Sequence, residues 1–186
     1  CGDWPTAESA AGPVMDSTAQ PIPAAADVER ILRPSAALEY AVRMSAGPGE
    51  SHADRFAAKL LAVILGDGSG SRLYWALVDP GLAEQASCHH QDFLDAGLFT
   101  TQLSCDPADA EDLLGRIVEL YAEAAEEGIA AAEFSRARHK LASRVVLAGE
   151  RPRRRLFDVG LEWSHSATYR TVRDNLRIVE ALTLDD

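Results

Sequence analysis

The sequence predicts an α+β fold, a two-layer sandwich with helices packed on one face of a mixed, largely antiparallel sheet. Three observations predict it. Apolar and polar residues alternate between Ala37 and Ala46, two further extended runs flank a glycine-containing loop, and most of the remaining chain repeats its apolar residues every three or four positions. The predicted order is strand, helix, short helix, hairpin and then several helices, and such segregation is typical of this class.

The composition excludes several classes of protein. With 47% hydrophobic and 25% charged residues, the 186-residue chain is an ordinary globular sequence. Its net charge of −11 argues against nucleic acid as a partner, because binding phosphates needs a basic surface. No apolar run approaches membrane-spanning length, so no membrane association is expected. Three cysteines are too few for a disulfide framework, which favours a reducing, cytoplasmic location.

The chain divides into a linker and one domain. Residues 1–34 are rich in Ala, Pro, Ser, Thr and Asp without periodicity, which predicts a poorly structured interdomain linker. Residues 35–186 form the domain. The chain begins at Cys1 without a methionine, and the end at Thr183 to Asp186 resembles a helix cap with no helix after it. We therefore expect a piece of a longer protein, truncated at its C-terminus.

The first strand and helix follow from local patterns. Tyr40, Val42 and Met44 alternate with polar or small residues, which predicts a strand with one buried face. Ser51 with Asp54 resembles a capping box at the start of a helix. The stripe expected to be buried on that helix comprises Phe56, Leu60, Val63 and Ile64.

The segment from Leu65 to Gln85 organises the rest of the chain. A glycine-serine turn is followed by a short amphipathic helix, capped by Ser69 or Ser71 and stopped at Asp79-Pro80-Gly81. Glycines before a helix can bind phosphate, but no Gly-Lys-Ser/Thr follows here, so a tight helix–helix–strand connection is the favoured interpretation.

A hairpin and several helices complete the predicted domain. Extended runs at 83–93 and 98–105 flank the loop at 94–97. A long helix should begin near Asp106 and end near Gly128, with further helices from about 131, at 156–165 and at 171–182, the last capped by Thr171 and Asp174. The predicted core stripe of the long helix is Leu113, Ile117, Leu120, Tyr121 and Ala124.

Several segments together resemble one protein family. Ser71-Arg72-Leu73-Tyr74, followed by Gly81-Leu82-Ala83, resembles the SRLF…RGLAY segment of the pitrilysin/insulinase family of zinc metallopeptidases, which includes the mitochondrial processing peptidases. The segments DAGLFTTQLSCDP, EEGIAAAEFSRARHKL and LAGERPRRRLFDVG follow in the family's order and spacing. The resemblance covers nearly all of the chain after the linker and implies the C-terminal, non-zinc half of the family's repeated unit.

The resemblance implies that zinc is bound elsewhere. In the family, an inverted His-x-x-Glu-His and a downstream Glu hold zinc in the N-terminal half, with one position open for a polarised water. This sequence has no such motif. Its nearest approach, His89-His90-Gln91-Asp92, is predicted on a strand, where neighbouring side chains point to opposite faces. We therefore expect neither a metal site nor catalytic residues in this fragment, and zinc in the missing half.

Four residues occupy positions that have a substrate-side or structural role in the family the sequence resembles. In active relatives the RGLAY piece contributes an Arg and a Tyr towards the substrate, and the matching positions here are Pro80 and Glu84. Neither side chain can donate a hydrogen bond as those residues would, and an ionised Glu84 would repel a developing oxyanion. Arg72 and Gly81 match the family pattern itself, and a structural role is expected for them.

The resemblance also implies a function and partners. It implies the substrate-enclosing domain of a zinc-dependent metalloendopeptidase, with a peptide as substrate and the N-terminal zinc-binding half or a homologous subunit as partner. The alternative is a non-catalytic assembly subunit of the same fold. Residues 106–133 are strongly acidic and residues 134–155 strongly basic. These runs are either solvated helix faces or, through Arg151 and Arg153 to Arg155, a dock for an acidic surface.

Overall fold

The α+β prediction is confirmed. The computed structural model describes residues 28–94 and 96–185, so most of the predicted linker lies outside the described residues. In chain order the elements are β1 (Glu39–Gly47), α1 (Arg55–Gly66), a π-helical turn (Tyr74–Val78), β2 (Gln85–Asp92), β3 (Gly97–Cys105), α2 (Ala110–Glu127), α3 (Ala131–Gly149), α4 (Pro152–Ser166) and α5 (Val172–Ala181). None of the described helices is both long and apolar enough to cross a bilayer.

The three strands form a sheet in the order β1-β3-β2. β3 lies in the middle and pairs antiparallel with both neighbours, with Leu103 opposite Ala41 on one side and opposite Ala86 on the other. The predicted hairpin between β2 and β3 is present, and its loop is closed by a 2.7 Å hydrogen bond from Phe93 N to Ala96 O. Every strand pair of the described residues is antiparallel, so this part of the sheet is not mixed.

Helix α2 covers one face of the sheet. The predicted stripe on α2 is confirmed, because Leu113, Ile117 and Leu120 are buried there with Leu103 of the central strand. The Tyr121 hydroxyl lies 2.7 Å from Thr101 Oγ1, which gives this polar group a partner inside the layer. The interface between α2 and the sheet is therefore the first hydrophobic core.

A second core lies between α1, α3 and α5. The predicted buried stripe of α1 is confirmed, and it packs against Leu141 of α3 and the fully buried Val179 of α5. The predicted cap of α5 is also present, since Thr171 Oγ1 accepts from Asp174 N at 3.2 Å and Asp174 Oδ2 accepts from Thr171 N at 2.9 Å.

The C-terminal end of α1 lies directly against β2. A Cβ at Gly66 would lie 2.1 Å from the backbone nitrogen of Cys88, so only glycine fits there. Gly66 is the last residue of α1. Its lack of a side chain allows α1 and β2 to approach each other.

The prediction that β1 buries its apolar residues is wrong. Tyr40, Val42 and Met44 are 72%, 56% and 63% exposed, whereas Ala41, on the opposite side of the strand, packs against the core. The alternation identified the strand correctly. It could not say which face the helices would cover, and they cover the face that carries the smaller residue.

The predicted capping box at Ser51 is also wrong. Helix α1 begins at Arg55, and the Asp54 side chain at its N-cap makes no capping hydrogen bond. Ser51 instead lies in a turn against the hairpin loop, where Glu50 N donates to Phe93 O at 2.8 Å and Ser51 Oγ donates to Leu94 O at 3.5 Å. A contact between distant parts of the chain therefore replaced the local cap.

Candidate functional site

The segment from Ser71 to Glu84 connects α1 to β2 and contains the four family-matching positions. Ser71 caps its start, because Ser71 Oγ donates to Gly68 O at 2.7 Å and accepts from Tyr74 N at 3.3 Å. Leu73 and Leu77 are fully buried and anchor the segment to the first core. Trp75, within the π-helical turn, is 60% exposed. Single π-helical turns occur frequently at functional sites.

Pro80 and Glu84 lie on the surface at the end of this segment. Pro80 is exposed in a turn closed by Gly81 N donating to Val78 O at 3.0 Å. Gly81 has a φ of +75°, a conformation that glycine adopts without strain. The Glu84 backbone nitrogen donates to Ser104 O at 2.9 Å, while its side chain is exposed to solvent. A molecule approaching this surface would meet a pyrrolidine ring and a carboxylate.

Arg72 ties the segment to the connection between α2 and α3. Its guanidinium makes two parallel hydrogen bonds to the Glu133 carboxylate, from Nε to Oε1 at 3.1 Å and from Nη2 to Oε2 at 3.0 Å. Arg72 Nη2 also donates to Gly128 O at 3.0 Å. The hydrogen bond with Glu133 raises the pKa of Arg72, and the same bond lowers the pKa of Glu133. Such a bidentate pair fixes direction as well as distance.

A groove of about 420 Å³ lies beside Trp75. It runs between the Ser71–Glu84 segment and the facing parts of α2 and α3, and it combines an apolar surface with carboxylates. Arg72 and Glu133 also line it and neutralise one another. Its other side chains are those of Ser71, Trp75, Ala76, Leu120, Glu123, Glu127 and Arg136.

His89 and His90 do not form a metal site. They are consecutive residues of β2, so their side chains leave opposite faces of the sheet. His89 is exposed, whereas the His90 ring packs 4.8 Å from Phe99 and its Nε2 lies 3.0 Å from Pro48 O. Burial lowers the pKa of His90. Over residues 28–94 and 96–185, no three His, Cys, Asp or Glu side chains are placed to hold an ion.

The two described cysteines do not face each other. Both are buried and carry free thiols, but Cys88 pairs across the hairpin with Thr101, and Cys105 lies four residues further along β3. Burial raises the pKa of the Cys88 thiol, and burial also raises that of Cys105. Neither thiol has the lowered pKa of a reactive nucleophile.

A buried cluster around Arg55 was not predicted from the sequence. Arg55 is only 7% exposed and donates to Glu50 O at 3.0 Å, with Asp92 and Glu162 carboxylates within 4.0 Å. Burial, followed by the charge of Arg170, lowers the pKa of Arg55. A cavity of about 310 Å³ adjoins the cluster. No local signal marks the cluster, because the carboxylates of Asp92 and Glu162 come from β2 and α4, far from Arg55 along the chain.

The basic residues near the start of α4 are partly engaged within the domain. Arg155 Nη2 donates to Arg170 O at 2.7 Å and its guanidinium lies 5.5 Å from the centre of the Tyr169 ring. Arg154 lies 3.7 Å from Asp158, and both side chains are well exposed. Arg151 and Arg153 are exposed. This surface is basic, and Arg155 serves a structural contact at its edge.

A sequence model described as the peptidase M16 inactive domain matches residues 1–141. The chain belongs to the peptidase M16 family. An uncharacterized zinc protease of Mycobacterium leprae is 27% identical to this M16 domain over 139 residues, covering 74% of this chain and 31% of that protein. One of Mycobacterium tuberculosis is 26% identical over 140 residues, covering 75% and 32%. The chain thus spans about a third of the curated relatives it matches.

Solved structures agree with this family. The inactive peptidase domain of a protein named as a zinc protease of Bordetella parapertussis superposes with a TM-score of 0.67 at 25% identity, over 83% of this chain and 84% of that one. A protease from Helicobacter pylori gives 0.72 at 22% identity, over 82% and 37%. A chain of complex III2 from Candida albicans gives 0.74 at 14% identity, over 82% and 39%. The last two likenesses concern the fold alone.

Proposed function

We propose that this M16 inactive domain is the substrate-enclosing half of a zinc-dependent metalloendopeptidase. The observation that carries the proposal is the match of residues 1–141 to the inactive peptidase domain. The name of the Mycobacterium relatives as zinc proteases supports the reaction class. The domain itself would close over a peptide, and the N-terminal zinc-binding half or a homologous subunit would supply the metal and the general base.

The described residues support this division of work. The side chains that could ligate zinc are dispersed, since His89 and His90 point to opposite faces of β2 and the described cysteines are buried apart. These residues do not fit a zinc ion, so no step of the reaction is assigned to them. What the domain offers a peptide is surface, including the exposed Trp75 and the groove beside it.

The connection would face the peptide as a wall in which the side chains of Pro80 and Glu84 provide no hydrogen-bond donor. A proline ring and an ionised carboxylate cannot stabilise negative charge that develops on a scissile carbonyl oxygen. Two residues would hold the shape of this wall. Arg72 would do so through its two hydrogen bonds to Glu133, and Gly81 through its φ of +75°. The two free, buried thiols support a reducing compartment such as the cytoplasm.

The test is peptide cleavage by the full-length, zinc-loaded protein. A mixture of peptides identifies one that is cleaved, and the specificity constant for that peptide is then measured with and without Glu84→Ala. We expect cleavage, and a change of less than about tenfold for the variant, because removing a true oxyanion donor costs roughly 100- to 1,000-fold. Glu126→Ala is the matched control, since Glu126 is an exposed carboxylate on α2. A loss of about a hundredfold specific to Glu84→Ala would assign Glu84 the catalytic role denied here.

The second candidate is a non-catalytic assembly subunit. It is favoured by the absence of donors at Pro80 and Glu84, and the fold is shared with a chain of complex III2. The sequence encoded upstream of Cys1, and that of any partner subunit, separates the two. A His-x-x-Glu-His motif there supports the peptidase, whereas full-length protein that neither holds zinc nor cleaves peptides supports the assembly subunit.

A further inference from the structure

Helix α4 turns a mostly charged face towards the rest of the domain. Of its described side chains, those of Arg155, Val159 and Glu162 are half-buried and the others are exposed. Their spacing of four and three residues places these three on one stripe of the helix. No described side chain of α4 belongs to either hydrophobic core. Apolar packing is the main force that fixes a helix on a domain, and the inner face of α4 has little of it.

An ion pair joins α4 to the rest of the domain at Glu162. The Glu162 side chain is only 12% exposed, and its Oε1 lies 3.0 Å from Arg170 Nη1 and 3.8 Å from Arg55 Nη2. Arg170 follows α4 in the chain, whereas Arg55 is the first residue of α1. The contact between Glu162 and Arg55 therefore bridges two distant parts of the domain.

The charged groups around this contact divide into two sets, and each set stays compensated when α4 moves away. Arg55 keeps the carboxylates of Asp92 and Glu50 within 4.0 Å, and its hydrogen bond to Glu50 O at 3.0 Å. Glu162 keeps its ion pair with Arg170. Breaking a buried ion pair is costly chiefly when it leaves a buried charge without a partner. Separating α4 from α1 leaves no such charge among these groups.

Helix α4 is also tied to the residues that follow it, above a cavity. Arg155 Nη2 donates to Arg170 O at 2.7 Å, so Arg170 is held by α4 through both its carbonyl and its guanidinium. A cavity of about 310 Å³ lies beside Arg55, Glu162 and Arg170. Closely packed interiors have few voids larger than a water molecule, so α4 is not densely packed at this point.

We propose that residues 152–170 form a lid over this cavity, with the ion pair between Glu162 and Arg55 as its latch. The lid opens as one unit while both hydrophobic cores stay folded, and opening exposes the cavity to solvent. A helix of 15 residues is marginal in water without tertiary packing, so the backbone amides of α4 exchange with solvent from the open state. The lid is independent of the proposed peptidase activity.

The experiment is hydrogen–deuterium exchange of the full-length protein, read by mass spectrometry of its peptides. We expect α4 to exchange faster than α2, which contributes the buried Ile117 to the first core. Glu162→Gln keeps the shape of the side chain but leaves the guanidinium groups of Arg55 and Arg170 on either side of an uncharged amide. It should speed the exchange of α4 at least about tenfold and leave that of α2 unchanged.

The matched control is Asp158→Asn, on the same helix. Asp158 is exposed and lies 3.7 Å from Arg154, which also belongs to α4. The change removes the same charge as Glu162→Gln without touching the latch. It should alter the exchange of α4 by less than about threefold, the range of an ordinary surface substitution.

Arg170→Gln should have the opposite effect to Glu162→Gln. It removes the repulsion between Arg170 and Arg55, and Arg55 becomes the cation that compensates Glu162. Opening then separates Glu162 from that cation, so the exchange of α4 should become slower than in the original protein.

Three results would overturn the proposal. The first is equal exchange of α4 and α2 in the original protein, as expected if another part of a longer polypeptide holds α4 or if the lid unfolds only together with the cores. The second is a Glu162→Gln variant in which α4 is unaffected or changes equally with α2. The third is faster or unchanged exchange of α4 in Arg170→Gln. This last variant decides alone if Glu162→Gln fails to fold, because slower exchange requires a latch to Arg55.

Discussion

Replacing Ile117 by alanine tests how α2 packs against the sheet. Ile117 is 1% exposed and contacts the core formed with Leu103 and Cys88. The change removes three carbon atoms, worth about 2.4 kcal/mol at roughly 0.8 kcal/mol each. The residual cavity adds to this loss, so the free energy of unfolding should fall by about 2–5 kcal/mol.

The assay is urea denaturation followed by circular dichroism, with Val118→Ala as the matched control. Val118 is the next residue of the same helix and is 47% exposed. Both changes replace a β-branched residue by alanine within a helix, so the gain in helix propensity is similar and the difference reports burial. The control should stay within about 0.5 kcal/mol of the original chain. A loss below about 0.5 kcal/mol for Ile117→Ala would mean that another face of α2 meets the sheet.

Three further predictions can be checked with the same denaturation assay. Gly66→Ala should lower the free energy of unfolding by about 3 kcal/mol or more, because the added Cβ would lie 2.1 Å from a backbone nitrogen of β2. Gly115→Ala, at a helical position with open space around it, should raise the free energy of unfolding by about 0.5–1 kcal/mol. Equal effects of the two changes would contradict the close approach of α1 and β2. Arg72→Lys should lower the free energy of unfolding by about 1–3 kcal/mol, because a lysine ammonium cannot reproduce the two parallel hydrogen bonds that Arg72 makes to Glu133. Burial by itself would raise the pKa of Asp92. The hydrogen bond from Lys59 and its charge have the larger opposite effect, so the pKa of Asp92 is lowered overall. The ionised Asp92 therefore stabilises the fold at pH values above about 3.9, the pKa of an aspartate in the unfolded chain, and this stabilisation is lost as the pH falls further. Asp92→Asn lacks this group, so its free energy of unfolding should fall less than that of the original chain as the pH drops below about 4.

The sequence by itself determined the elements and the family. Local causes decide these, such as the alternation in β1, the helical spacing of Leu113, Ile117 and Leu120, and the reciprocal cap between Thr171 and Asp174. Each depends on residues close along the chain, which is why pattern alone suffices. The ordered set of short segments was likewise enough to identify an M16 inactive domain.

The tertiary structure alone decided which surfaces are covered. The stripe at Tyr40 and Val42 is apolar in sequence yet exposed, because the helices cover the opposite face of the sheet. Arg55 looks like an ordinary first residue of a helix, but distant carboxylates from β2 and α4 make its burial possible. Gly66 is glycine because a strand from another part of the chain lies against it. These features depend on partners far away in sequence, and local patterns carry no information about such partners.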